Sequence, residues 1–170
     1  MANVAPGKYD LKRATLTLRD GTGTPEELAI KFDEGNLTFD VTKNREYVKD
    51  RGVLDSVRDG DQEPMSVAFQ GRFNAIKAST GNDITVMEFL NNTNAETTLV
   101  SVGQVCDPFA VDIVLTFDHS DCVPGVGNVV QDEEIVFEEF RFEGIGGDFK
   151  AGQISVTGKC NRVLPVATRS

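Results

Sequence analysis

Apolar and polar residues alternate along most of this chain. Leu16 and Leu18 fall two apart within 14–20. So do Val67, Phe69, Gly71 and Phe73 within 65–77, and Val111, Ile113, Leu115 and Phe117 within 109–117. A period of two turns one side of a β-strand to a core and the other to solvent. Related patterns predict strands at 28–32, 36–41, 97–103, 133–143 and 153–160, with Leu37, Phe39 and Val41 sharing a face. Asp33-Glu34-Gly35 reads as a hairpin turn between 28–32 and 36–41. Phe137 and Phe140 are out of step with each other, which predicts a bulge at Glu138-Glu139.

One segment, about 85–92, has helical spacing. Val86, Phe89 and Leu90 stand at i, i+3 and i+4, and Thr85 and Glu88 have the spacing of a capping box. Seven or eight strands and one short flanking helix predict a mainly β domain over 1–170, a β-sandwich or flattened barrel. The first ten residues read as an N-terminal arm and 162–170 as a C-terminal tail.

Residues 43–63 break the pattern. They are rich in charge, have no steady period, and carry only Tyr47, Val48, Val53, Leu54 and Val57 as apolar residues. Connections longer than about 12–15 residues are uncommon in compact domains and tend to be functional. The segment is either a surface loop with a helical turn or an arm that becomes ordered against a partner; its scattered apolar residues favour the arm.

The glycines between Phe140 and Cys160 invite a phosphate-loop reading, which their spacing refuses. Five residues separate Gly152 from Gly158 where the loop needs four, and Cys160 stands where a magnesium-binding hydroxyl belongs. Gly144, Gly146 and Gly147 are instead expected to shape a turn over 144–152, with Gly152 opening the last strand.

Charge narrows the function further. Seventeen Lys and Arg against 27 Asp and Glu give −10, the wrong sign for a surface that grips phosphates. The longest basic cluster is Leu11-Lys12-Arg13. No apolar run approaches the roughly 20 residues of a membrane helix, and the first residues have no apolar leader pattern, so the chain is expected to fold in a cytoplasm. His119, the one histidine, lies among Asp118, Asp121 and Cys122, a mixed and poorly matched ligand set on an expected loop. Adjacent acids such as Glu133-Glu134 and Glu138-Glu139 point to opposite faces of a strand and make poor catalytic pairs. No catalytic, metal or cofactor residue is assigned. Cys106, Cys122 and Cys160 are expected as buried thiols, with one intramolecular disulfide open to them in an oxidising setting.

Three stretches in order, 28–73, 106–117 and 133–161, together resemble the major tail tube proteins of tailed bacteriophages. That resemblance implies a β-sandwich with a flanking helix, a tube fold shared with type VI secretion. Six copies would close a ring, and rings would stack into the tail tube that conducts DNA into the host. The implied partners are further copies, the tape measure, the tail tip or baseplate, a terminator and, in a contractile tail, the sheath. Assembly would occur in the host cytoplasm and the product would reside in the virion tail, with no cofactor. Segment 43–63 becomes the inter-ring arm, with Tyr47, Val53 and Leu54 as contacts. Alternation points to Asp40, Asp112 and Glu139 as acidic residues lining the lumen, where DNA must slide without sticking. A disulfide between subunits is a hypothesis under this reading. The alternative is a stand-alone β-sandwich module that binds a carbohydrate or another ligand.

Overall fold

A computed structural model describes residues 14–30, 37–72, 76–77, 83–93, 99–117, 133–148 and 150–169. In chain order the described elements are β1 (Ala14–Arg19), β2 (Glu27–Ile30), β3 (Leu37–Asp40), β4 (Lys43–Asp50), β5 (Val53–Gln62), β6 (Met65–Arg72), β7 (Ile76–Lys77), β8 (Asp83–Ile84), α1 (Val86–Asn91), β9 (Val111–Phe117), β10 (Glu133–Asp148), β11 (Gln153–Cys160) and β12 (Val166–Arg169). The chain is mainly β, with one short helix among the described residues.

Eight strands form one antiparallel sheet in the order β2-β1-β9-β10-β11-β6-β3, with β12 also on β10. The sixteen-residue β10 is its spine. Residues 133–140 pair with β9 on one side; on the other, 133–136 pair with β12 and 140–148 with β11. The wing β2-β1-β9 therefore leaves the first half of β10, and the wing β11-β6-β3 leaves the second half.

Both wings contribute to one core. Leu16, Leu18, Leu28, Ile30, Ile113 and Leu115 come from the first wing, and Met65, Val67, Phe69, Ile154, Val156 and Cys160 from the second. Phe137 and Phe140 of β10 complete it, each about 1% exposed. Aromatic contacts link β10 to the second wing: Phe39 lies 5.5 Å from Phe137 and Phe69 lies 6.2 Å from Phe140, both pairs tilted. Each fully buried Leu or Phe contributes on the order of 1.5–3 kcal/mol of transfer free energy.

The helix forms as its spacing predicts. Val86, Phe89 and Leu90 are buried, and both halves of the capping box are present. The Glu88 carboxylate accepts from the Thr85 N–H and hydroxyl, each at 2.8 Å, and these bonds lower its pKa. Asn92 ends the helix in the left-handed region at φ 51°. Thr85→Ala is expected to lower stability by about 1 kcal/mol, measurable by urea denaturation, because it removes an N-cap.

Several expectations are corrected. β2 and β3 do not form a hairpin with each other: β2 pairs with β1, β3 pairs with β6, and the two end opposite edges of the sheet. The turn expected at 33–35 lies outside the described residues. The strand expected at 65–77 ends as β6 at Arg72, and Ile76–Lys77 pairs separately with Asp83–Ile84.

No strand forms at 99–103: its backbone bonds singly to Gly21 and Ala110, and side chains take other N–H groups. Asp20 Oδ2 accepts from the Val100 N–H at 3.1 Å, and Ser101 Oγ accepts from Gly103 and Ala110. Asp20 is itself buried, and its Oδ1 accepts from the Glu26 N–H at 2.8 Å. One aspartate thus shapes the β1–β2 turn and pins a distant loop.

The glycine turn is also narrower than expected. β10 runs on through Gly144, Gly146 and Gly147 to Asp148, opposite Thr157, Ser155 and Ile154. A Cβ at Gly144 would lie 2.9 Å from the Thr157 hydroxyl, and one at Gly146 would lie 3.0 Å from that of Ser155. These glycines clear space inside a strand; Gly152, at φ 65°, is the residue that turns the chain. Nor is 162–170 a free tail throughout, because Val166–Arg169 pairs with β10.

Candidate functional site

Residues 43–62 form a β-hairpin, where alternation was too weak to predict one. Asp50 pairs with Val53 across a two-residue turn. Its residues, Arg51 and Gly52, both have positive φ, 49° and 85°, as the twist-compatible type I′ hairpin turn requires. At the foot of the hairpin the register skips Asn44, whose amide donates to Glu63 Oε1 at 2.7 Å. Gly60 permits this bulge, since a Cβ there would come within 3.2 Å of Asn44.

β4 and β5 pack on each other and have no extensive contact with another element. Arg45 faces Asp59 and Glu46 faces Arg58 in the register, so charge is complementary across the strands. The five basic and five acidic residues from Lys43 to Gln62 cancel, and the net charge of −10 falls entirely outside the hairpin.

Apolar side chains remain uncovered on it. Tyr47 is 59% exposed, Val53 70%, Leu54 63% and Val57 55%. Tyr47 stands opposite Val57, and Leu54 opposite Lys49, two residues further along β4. Tyr47, Leu54 and Val57 therefore share one face, while Val53 lies on the other near the tip. Four of the ten exposed large hydrophobic residues among those described lie on this hairpin. Monomeric proteins rarely gather so many exposed apolar side chains on one element. The three residues assigned to the arm, Tyr47, Val53 and Leu54, are all among the four; Val57 was not singled out, although its position opposite Tyr47 pairs them.

The predicted bulge is present. Register shifts between Phe137 and Phe140, and Glu139 adopts φ 54°. The strained Glu139 N–H donates to Asp112 Oδ1 at 2.9 Å. The Glu139 carboxylate accepts from Asn161 at 3.0 Å and has Arg141 and Arg162 within 3.7 Å. Arg162 also pairs with Glu138 at 2.9 Å. These contacts fasten the β11–β12 connection to the spine.

Of the three acids assigned to a lumen, Asp112 and Glu139 thus meet in one half-buried cluster, whereas Asp40 stands exposed on β3. A groove of about 300 Å³ beside Asp40 is lined by Phe39, Ser66, Glu143 and Thr157.

Burial raises the Asp112 carboxyl above its usual 3.8; the Glu139 N–H opposes that shift, and the Glu138 charge adds to it. The folded protein therefore holds this proton at a pH where the unfolded chain has lost it. The resulting stabilisation is complete below the unfolded pKa and is lost as pH rises through the folded one. Asp112→Asn keeps an acceptor for the Glu139 N–H but does not ionise. Its stability relative to wild type should rise as pH climbs through the window just above 3.8. Denaturation from pH 3 to 7 checks this; an unchanging difference would remove the assignment.

Cys160 is fully buried and Cys106 exposed, both as free thiols, while Cys122 lies outside the described residues. Burial, and secondarily the Asp112 charge, push the Cys160 thiol up to about 12. Only thiolate reacts readily. In the native protein, iodoacetamide at pH 8 should label Cys106 while sparing Cys160, and Cys160 should react only after denaturation; peptide mass spectrometry reads both. Cys106 is the better placed of the two for a bond to another molecule.

His119, Asp118 and Asp121 also lie outside the described residues. Among those described, no group of three or more His, Cys, Asp or Glu is arranged to hold a metal. No helix among the described residues is long and apolar enough to cross a membrane. No known protein-family model matches the chain, and no characterised protein matches it at a significant level.

Proposed function

We propose that this chain is a structural subunit of a phage tail tube, in which six copies close a ring and rings stack into a conduit for DNA. The observation that carries the reading is the hairpin at 43–62. It is ordered, electrically neutral and apolar on exposed faces, and it stands off the body of a chain carrying −10. A neutral arm can approach an acidic neighbour without the repulsion two acidic bodies would meet.

Two further features support it. The sheet is open, ending at β2 and β3, so each copy has two strand edges that ring closure could pair. The acidic body suits a lumen through which phosphate must slide. In such a lumen Asp40 would face DNA directly, and the half-buried Asp112 and Glu139 would contribute mainly through their field. The other partners would be tail components at either end of the tube, and a sheath if the tail contracts.

Negative-stain electron microscopy across a concentration series tests the proposal. Six-fold rings or hollow tubes are expected. Monomers at every concentration, even with added tail-tip components as initiators, would favour a ligand-binding module instead.

A further inference from the structure

A groove of about 280 Å³ lies at the foot of the hairpin, lined by Lys43, Asp59 and Asp61 on the arm side and by Val163 and Leu164 on the other. Leu164 is half exposed. The space is large enough to take one or two side chains. We propose that it is the socket for the hairpin tip of a second copy of this chain, a step that rests on the tube reading above.

The occupant must come from outside. β4 has eight residues and so spans about 25 Å, which keeps a chain's own tip away from its own foot. Tip and groove are complementary in kind. The tip offers Val53 and Leu54, both largely exposed, with Arg51 at its apex. The groove offers Val163 and Leu164 beside two carboxylates, Asp59 and Asp61, against the single cation of Lys43. Seating the tip would cover apolar surface on both chains and bring Arg51 to the acids. Each copy has one tip and one foot at different places, so the contact is heterologous and propagates from layer to layer.

Mixing variants tests this. Val53→Asp/Leu54→Asp removes the tip, and Leu164→Asp blocks the foot. Each alone should raise the concentration needed for assembly at least tenfold with unchanged circular dichroism. Mixed, they retain one good tip and one good foot. They should form pairs, of chains or of rings, and nothing longer, as read by analytical ultracentrifugation and microscopy. As a second check, Asp59→Arg/Asp61→Arg should fail to assemble, and adding Arg51→Asp to the same chain should restore it. If wild type forms tubes and the foot variants form them equally well, or the mixture gives no pairs, the socket is wrong while the tube reading stands. If wild type never assembles, the tube reading falls and the socket falls with it.

Discussion

Phe140→Ala should destabilise the protein by about 3–5 kcal/mol, the usual cost of removing a buried phenyl ring. Domains of this kind have about 5–15 kcal/mol in total, so the variant would lose a large share of its stability. The position explains the size of the effect. Phe140 is the residue at which β10 passes from one wing to the other, pairing with Val111 of β9 and Cys160 of β11. Its ring packs against Phe69 and lies over Gly158, where a Cβ would come within 2.7 Å of two ring carbons. Alanine would leave a void walled by both wings, and β10 cannot move in to fill it without breaking pairing on either side.

Gly158 gives this prediction a finer test. Gly158→Ala alone should also destabilise, because its Cβ meets both the Phe140 ring and the Arg141 carbonyl. In the double variant the first clash is gone. The combined loss should therefore be smaller than the sum of the two, a coupling that a double-mutant cycle with urea denaturation measures. Strict additivity, or a Phe140→Ala loss below about 1 kcal/mol, would mean that the wings do not share their core at this point.

The sequence foretold structure where one local pattern met one local need. Thr85 with Glu88 foretold the capping box, Phe137 with Phe140 the bulge, and the alternation of β6 and β9 the core faces they present. It was silent where the need was distant. Asp20 pins Val100 across eighty positions, and a lone Asp before Gly signals only a local turn. The placement of β2 and β3 at opposite edges was likewise hidden, because a turn sequence between two strands does not reveal that each has a better partner elsewhere. Gly144 and Gly146 misled because glycine serves equally to turn a chain and to make room inside a strand. The hairpin at 43–62 was legible as an unusual segment but not as strands, since neither of its faces is buried in the chain's own core. Periodicity records burial, and a hairpin that stands off the core has little burial to record.

That exposure makes the arm the place where fold and assembly can be separated. Val53→Asp/Leu54→Asp should leave the fold intact, because surface substitutions usually change stability by no more than about 0.5 kcal/mol. In an assembled tube the same carboxylates would be buried without partners, each at a cost of several kcal/mol. Since about 1.4 kcal/mol is tenfold in an association constant, two such charges should weaken each contact by roughly a thousandfold or more. On the tube proposal, assembly should be lost at concentrations where wild type would form tubes, while the urea midpoint stays put. Two added negative charges on a chain of −10 also increase general repulsion. Val53→Ser/Leu54→Ser separates the causes: it loses apolar contact but adds no charge, and should still impair assembly, though less. If the serine variant assembled like wild type, repulsion would explain the aspartate result and the tip would not be an apolar contact. If the aspartate variant itself formed normal tubes, the hairpin would have no part in joining one layer to the next.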